Sequence, residues 1–174
     1  MSGRFFMQWG VAGVTFVQAL ALFPPSVVAL LAAPGAYALH LVVAMSTALI
    51  WENIFGAVRK RGNSFHGVTT ALTIVVFIPF DVAVWQLIVM LSLGVILGEL
   101  VFGGRGFGFL NPATVALSLL VVSFPQMQLV ASTPQLAIAT LPGVALLFFV
   151  GLRAWRIVIA TLFGATAVLA LNGQ

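Results

Sequence analysis

Residues 84–112 read VWQLIVMLSLGVILGELVFGGRGFGFLNP, a long apolar run that passes directly into a glycine-rich loop. The apolar run, residues 84–102, contains a single charged residue, Glu99, and its length predicts a helix inside a bilayer. Four of the next six residues are glycines, which allow tight turns and let a ligand approach the backbone amides. Asn111-Pro112 then predicts a new helix, because Asn caps helices well and Pro suits their first turn. Residues 102–112, called the glycine loop below, are therefore the first candidate ligand site.

The composition places the whole chain in a membrane. Of its 174 residues, 62% are hydrophobic and 6% are charged, whereas a soluble domain carries about 25% charged residues. We predict an all-α integral membrane protein in which residues 1–174 form a single transmembrane helical bundle. The chain has no cysteine, which excludes disulfides and thiolate metal sites. Its excess of basic residues is interpreted as a topology signal, so no nucleic-acid partner is predicted.

Apolar runs define seven candidate segments, which predicts about six or seven transmembrane or half-membrane helices. The third and fifth segments are short, and we expect them to be helices that stop inside the membrane. Pro24-Pro25 falls within the first segment and predicts a kink, or an end of the helix near Phe23. The segments span residues 9–31, 34–58, 66–80, 84–102, 112–124, 136–150 and 155–171.

The distribution of charge predicts a cytoplasmic N-terminus and a C-terminus on the outside. With this orientation, all seven Lys and Arg residues fall on the cytoplasmic side, and the outer loops contain Asp81 but no basic residue. Cytoplasmic loops of membrane proteins are enriched in Lys and Arg. The partition therefore favours an N-in, C-out topology.

For three ionisable residues within the predicted segments, His40, Glu52 and Glu99, we favour a structural role. His40 is expected to be a neutral imidazole bonded to a neighbouring helix. Glu52 is expected to reach the basic pair at residues 59–60, and Glu99 to reach Arg105. A functional role is the open alternative, because ionisable residues inside a membrane commonly mark functional sites.

A second polar stretch, residues 62–70 (GNSFHGVTT), lies on the same predicted membrane side as the glycine loop. Capping by Asn63 or Ser64 explains part of it, but a helix start also carries free amides that favour polar or anionic groups. Broken helices that converge in a bundle are a recurrent way to build a site in a membrane. We therefore predict one cofactor site, made by Ser64, His66, Thr69, Thr70, Gly103, Gly104, Gly106 and Asn111.

Several short motifs follow one another in an order that resembles a known family. They are SFHGVTTAL at 64–72, Pro79, GELVFGG at 98–104, FLNPA at 109–113 and SFP at 123–125. This order resembles the NqrB/RnfD family of membrane subunits, of which the chain would be a shortened member. Members of that family belong to sodium-pumping NADH:quinone oxidoreductase (Nqr) and to the Rnf ferredoxin:NAD complex.

The resemblance implies electron transfer with a flavin (FMN or riboflavin) or a quinone in a bacterial inner membrane. Family members carry FMN esterified to a Thr, and the nearest counterpart here is Thr133 in ASTPQLA, residues 131–137. Covalent FMN at Thr133 is thus one hypothesis, and an ordinary turn before a helix is the other. The implied partners are lipid, other subunits of a redox complex or a reductase, and a second copy in a homo-oligomer.

Two other functions fit a bundle of this size. A small-solute or vitamin permease subunit could also use half-helices and a glycine loop. A purely structural membrane subunit would need neither polar stretch. The presence of both polar stretches favours the electron-transfer interpretation.

Overall fold

The secondary structure is helical throughout the part of the chain that the computed structural model describes, residues 11–60, 65–103, 110–127, 134–151 and 163. The predicted all-α class is confirmed for these ranges. The last predicted segment, residues 155–171, lies outside them except for Phe163. The helices are α1 (Val11–Ala32), α2 (Pro34–Arg59), α3 (Gly67–Phe77), α4 (Val84–Val95) with a π turn (Ile96–Leu100), α5 (Pro112–Ser123) and α6 (Pro134–Phe149).

The shortness of the third and fifth segments is confirmed. Helix α3 has 11 residues and α5 has 12, so each rises less than about 20 Å at 1.5 Å per residue. A bilayer core is about 30 Å thick. Only α1 and α2, among the described helices, are long and apolar enough to cross it by themselves.

Helix α1 does not end at the two prolines, so the predicted end near Phe23 is wrong. The helix runs through Pro24 and Pro25 to Ala32. Pro25 has no N–H to give to Ala21 O four residues earlier, and this carbonyl instead lies against Gly143 of α6. In a bundle, a neighbouring helix can accommodate backbone groups that proline leaves without a partner. The contact between α1 and α6 therefore allows a helix that the local sequence predicts to break.

Small residues bring α4 and α5 close together. A Cβ atom placed on Gly94 would lie 2.5 Å from Cβ of Ala116, and one on Gly98 would lie 2.8 Å from Cα of Pro112. Such close approach of backbones is typical of helix packing in membranes, where small residues line the contact. The same contacts hold the π turn against the start of α5.

Large apolar side chains cover the outside of the bundle. Phe149 is 91% exposed, and Phe16, Val42 and Val122 are also exposed. Extensive exposed apolar surface is rare on soluble monomers, and a bilayer is the environment that covers it. The N-in, C-out orientation stays a prediction from the charge pattern.

Candidate functional site

A cavity of about 540 Å³ lies where α1, α3, the π turn, the start of α5 and α6 meet. Four of the residues predicted to form the site line it together: His66, Thr69, Thr70 and Asn111. They come from the two polar stretches that stand out in the sequence. The structure thus joins the start of α3 and the start of α5 around a single space.

The other predicted site residues are placed differently. Gly103 lies just after the π turn with a φ of 119°, a left-handed conformation that suits glycine, and it does not line the cavity. The remaining ones, Ser64, Gly104, Gly106 and Thr133, lie outside the described residues.

Glu52 of α2 binds the beginning of α3. Its carboxylate accepts hydrogen bonds from the backbone N–H groups of His66 at 3.2 Å and Gly67 at 3.0 Å. Glu52 was expected to reach the basic pair at residues 59–60; the hydrogen bonds seen for its carboxylate go to these amides, and the Arg59 guanidinium donates to Val101 O at 3.1 Å. The reason is that the free amides and the dipole of a helix N-terminus attract a carboxylate. Glu52 therefore positions the helix whose first turns line the cavity.

Replacing Glu52 with Ala should destabilise the bundle, because it removes two charge-assisted hydrogen bonds and leaves two amides buried. We expect the free energy of unfolding to fall by about 3–6 kcal/mol, at about 1.5–3 kcal/mol for each of the two hydrogen bonds to a charged group. Thermal unfolding in nanodiscs measures this. Glu52→Gln, which keeps one acceptor oxygen, should show a smaller loss, and equal loss in both variants would contradict the capping role.

The His66 ring is held beside the cavity by two hydroxyl groups. Its Nδ1 lies 3.3 Å from Thr15 Oγ1 and 3.4 Å from Thr69 Oγ1. Thr69 also donates its hydroxyl proton to His66 O at 2.9 Å, so its oxygen faces the ring as an acceptor. These contacts fix the orientation of a buried imidazole at the entrance of α3.

Glu99 is the residue of the cavity whose place differs most from the prediction. It was expected near the surface with Arg105, a residue outside the described ranges, but it is 8% exposed and lines the cavity. It belongs to the π turn, which is closed by a bond from Val101 N–H to Ile96 O at 2.9 Å. Such turns often occur at functional sites.

No hydrogen bond from a described residue reaches the Glu99 carboxyl group. Glu52 presents the opposite case, since two amides bind it. A buried carboxyl group is costly unless a partner satisfies it.

Asn111 has the capping role that the sequence predicted. Its Oδ1 accepts from the N–H of Ala113 at 2.9 Å, and Pro112 follows as the first residue of α5. The bond to Ala113 uses the oxygen of the side-chain amide, and the NH₂ group remains a pair of donors at the cavity. Asn111 can thus cap its helix and donate to a ligand at the same time.

Three further polar residues of the cavity were missed: Gln18 of α1, Thr73 of α3 and Thr140 of α6. In the sequence they are isolated uncharged residues within apolar runs, a weak signal. Thr73 donates to Thr69 O at 2.8 Å and Thr140 to Ala137 O at 2.7 Å. Their hydroxyl protons are used within their own helices, so towards a ligand they act as acceptors.

Comparison with known proteins identifies the family. The model of the NQR2, RnfD, RnfE family matches residues 7–133. This chain belongs to the NQR2, RnfD, RnfE family. The predicted resemblance is confirmed, and the matched region of this family member contains α1 to α5 and all of the predicted site residues.

Curated relatives match a shorter part of the chain. The chain is 33% identical over 75 residues to the B subunit of the Na(+)-translocating NADH-quinone reductase of Stutzerimonas stutzeri. It is 36% identical over 75 residues to the same subunit of Pseudomonas aeruginosa. A third such protein, from Yersinia pestis, is 33% identical over 75 residues. Each match covers 43% of this chain and 18% or 19% of the relative. The chain therefore corresponds to a limited part of those larger family members.

Proposed function

We propose that this chain is a membrane subunit of a redox complex and that its cavity positions a flavin or a quinone for electron transfer. The observation that carries the proposal is the convergence of two polar helix starts with a buried acid, Glu99, around one cavity. Membership of the NQR2, RnfD, RnfE family supports it. When bound, the flavin or quinone would supply the electron-transfer chemistry.

The shape and lining of the cavity fit a flat ring with polar edges. A volume of about 540 Å³ lies in the range of pockets for small organic ligands, about 300–1,000 Å³. Apolar wall residues, among them Leu22 and Leu147, can cover the faces of a ring. The Asn111 amide can donate to a ring carbonyl, and Glu99 can accept from a ring N–H. A flavin offers both groups, whereas a quinone offers carbonyl oxygens.

The chain's own residues would bind and orient the ring and keep water from it. Glu52 and Asn111 fix the two helix starts, and the Ala21–Gly143 contact closes α1 against α6. The described part of the chain is helical and contains no parallel sheet of the kind that binds dinucleotides. Electrons would therefore come from another subunit or a reductase, in a bacterial inner membrane. The relatives are named as B subunits of an NADH-quinone reductase, which favours such an assembly.

Substitutions of Asn111 separate its two roles. Asn111→Asp keeps the capping oxygen and removes the amide donors, so we expect wild-type stability but about 10-fold weaker binding of flavin or quinone. Asn111→Ala loses the cap as well and should also lower the free energy of unfolding by about 1 kcal/mol. Thermal melting and equilibrium titration with riboflavin and with ubiquinone measure these effects. Unchanged binding in Asn111→Asp would remove this residue from the ligand site.

The proposal as a whole is tested on the native complex purified from its own membrane. We expect flavin absorbance, or quinone in an organic extract, in proportion to this chain. Absence of both would refute the proposed function.

The intact mass of the chain tests the separate hypothesis of FMN at Thr133, since an unmodified mass excludes the ester.

A further inference from the structure

Two buried polar atoms on one face of α2 have no hydrogen-bond partner among the described residues. They are the hydroxyl oxygen of Tyr37 and Nδ1 of His40, whose side chains are 1% and 3% exposed. Residues three apart on a helix are neighbours on its surface. The two side chains therefore leave α2 on the same face near its beginning, and with Ser26 of α1 they are called the polar patch below.

The other ring nitrogen of His40 defines the chemistry of this patch. His40 Nε2 lies 2.9 Å from Val82 O in the connection between α3 and α4. A carbonyl oxygen only accepts, so Nε2 carries the proton, and in a neutral imidazole Nδ1 is then a bare acceptor. His40 was expected to bond to a neighbouring helix; its partner lies instead in the connection between two helices, and Nδ1 still requires a donor.

Ser26 of α1 completes the patch. Its side chain interacts with the Tyr37 hydroxyl, although the two groups do not reach the geometry of a hydrogen bond. Ser26 Oγ donates its own proton to Leu22 O at 2.8 Å, so it can only accept from the patch. The patch thus offers one donor, from Tyr37, and two acceptors, from His40 and Ser26.

We propose that Tyr37, His40 and Ser26 bind one ordered water molecule inside the bundle. The water accepts the Tyr37 proton and donates one hydrogen to His40 Nδ1 and the other to Ser26 Oγ. Three hydrogen bonds are the usual number for a buried water, and this arrangement satisfies every polar atom of the patch. Unpartnered polar groups are costly in an apolar interior.

The water site is independent of the proposed redox function. None of Ser26, Tyr37 and His40 lines the large cavity. The site instead joins three parts of the bundle, namely α1 through Ser26, α2 through Tyr37, and the α3–α4 connection through the His40–Val82 bond. A metal ion is a poor alternative occupant, because the described residues contain no group of three His, Cys, Asp or Glu side chains.

The sign of the stability change in Tyr37→Phe tests the site. If a water joins the three residues, removing the hydroxyl should lower the melting temperature by roughly 2–4 °C. If the hydroxyl has no partner, its removal should leave the melting temperature unchanged or raise it, and that result would overturn the proposal. Ser46→Ala is the matched control on α2, because its exposed hydroxyl bonds only to Val43 O; it should melt like the wild type.

Solid-state NMR of the wild-type protein in bilayers provides a second measurement that needs no folded variant. The chain has two histidines, so ¹⁵N-histidine labelling gives few signals, and His40→Gln assigns them. We expect an unprotonated Nδ1 on His40 that receives magnetisation from water. A protonated Nδ1, a direct bond from Tyr37, or no transfer from water would each overturn the proposed site.

Discussion

Replacing Glu99 with Leu should weaken the binding of a flavin, whose ring N–H can donate to Glu99, by about 10- to 100-fold. The estimate is the loss of one hydrogen bond that involves an ionisable group, about 1.5–3 kcal/mol. Glu99 is buried, faces the cavity and receives no hydrogen bond from the described residues. The variant should fold as well as the wild type, because no hydrogen bond with a described residue is lost and the acid removed lies near a second carboxylate, Glu52. Equilibrium titration of the reconstituted complex with riboflavin and with ubiquinone measures the change.

Glu99→Gln distinguishes the two ligands. A Gln side chain keeps a carbonyl acceptor and adds an NH₂ donor. Quinone binding should therefore be kept. The binding of a flavin that uses its ring N–H should fall only moderately, because an acceptor remains. Asp81→Asn is the matched control, since it removes an exposed acid on the opposite predicted membrane side. Wild-type affinity for both ligands in Glu99→Leu would exclude Glu99 from the binding site.

Replacing Gly143 with Ala should cost about 3 kcal/mol of stability, the upper part of the usual range for overpacking. A Cβ atom at this position would overlap the backbone of Ala21. Backbone atoms cannot rotate away as the end of a flexible side chain can, so α1 and α6 must separate. Both helices line the cavity, and we therefore expect weaker ligand binding together with a melting temperature lower by roughly 6–12 °C.

Gly35→Ala provides the control for this experiment. A Cβ atom on Gly35 has no neighbour within 4 Å, and Ala is favoured over Gly in a helix by restricting the unfolded chain. This variant should melt at or slightly above the wild-type temperature. If Gly143→Ala behaved in the same way, the close contact between α1 and α6 would be wrong.

Features that depend on neighbouring residues were predictable from the sequence. The shortness of α3 and α5 follows from the lengths of their apolar runs. The capping of α5 by Asn111 follows from an Asn-Pro pair at the end of a glycine loop. That residues of the two polar stretches lie close together was also predictable, because both stretches precede short helices on one predicted side of the membrane.

Features that depend on contacts between distant segments were not predictable. Glu52 lies 14 residues before His66, whose backbone N–H it binds. The sequence around Glu52 does not show whether its carboxylate binds that distant amide or a basic side chain nearby. Helix α1 passes through two prolines because α6 packs against Ala21. The contribution of α6 to the cavity, through Thr140 and Gly143, likewise requires knowing that the first and sixth helices are neighbours.

The π turn changes the phase of the fourth helix. Along α4 the buried residues recur with the α-helical repeat, as at Leu87, Leu91 and Gly94, and at about 100° per residue this repeat would carry Val101 inwards and Glu99 outwards. The structure has the reverse, with Val101 51% exposed and Glu99 buried. One extra residue within a turn thus rotates everything after it, so a carboxyl group that regular winding would direct towards lipid is directed into the protein. The amino-acid composition of this helix therefore does not reveal which side chain faces the cavity. That is determined by the number of residues in one turn.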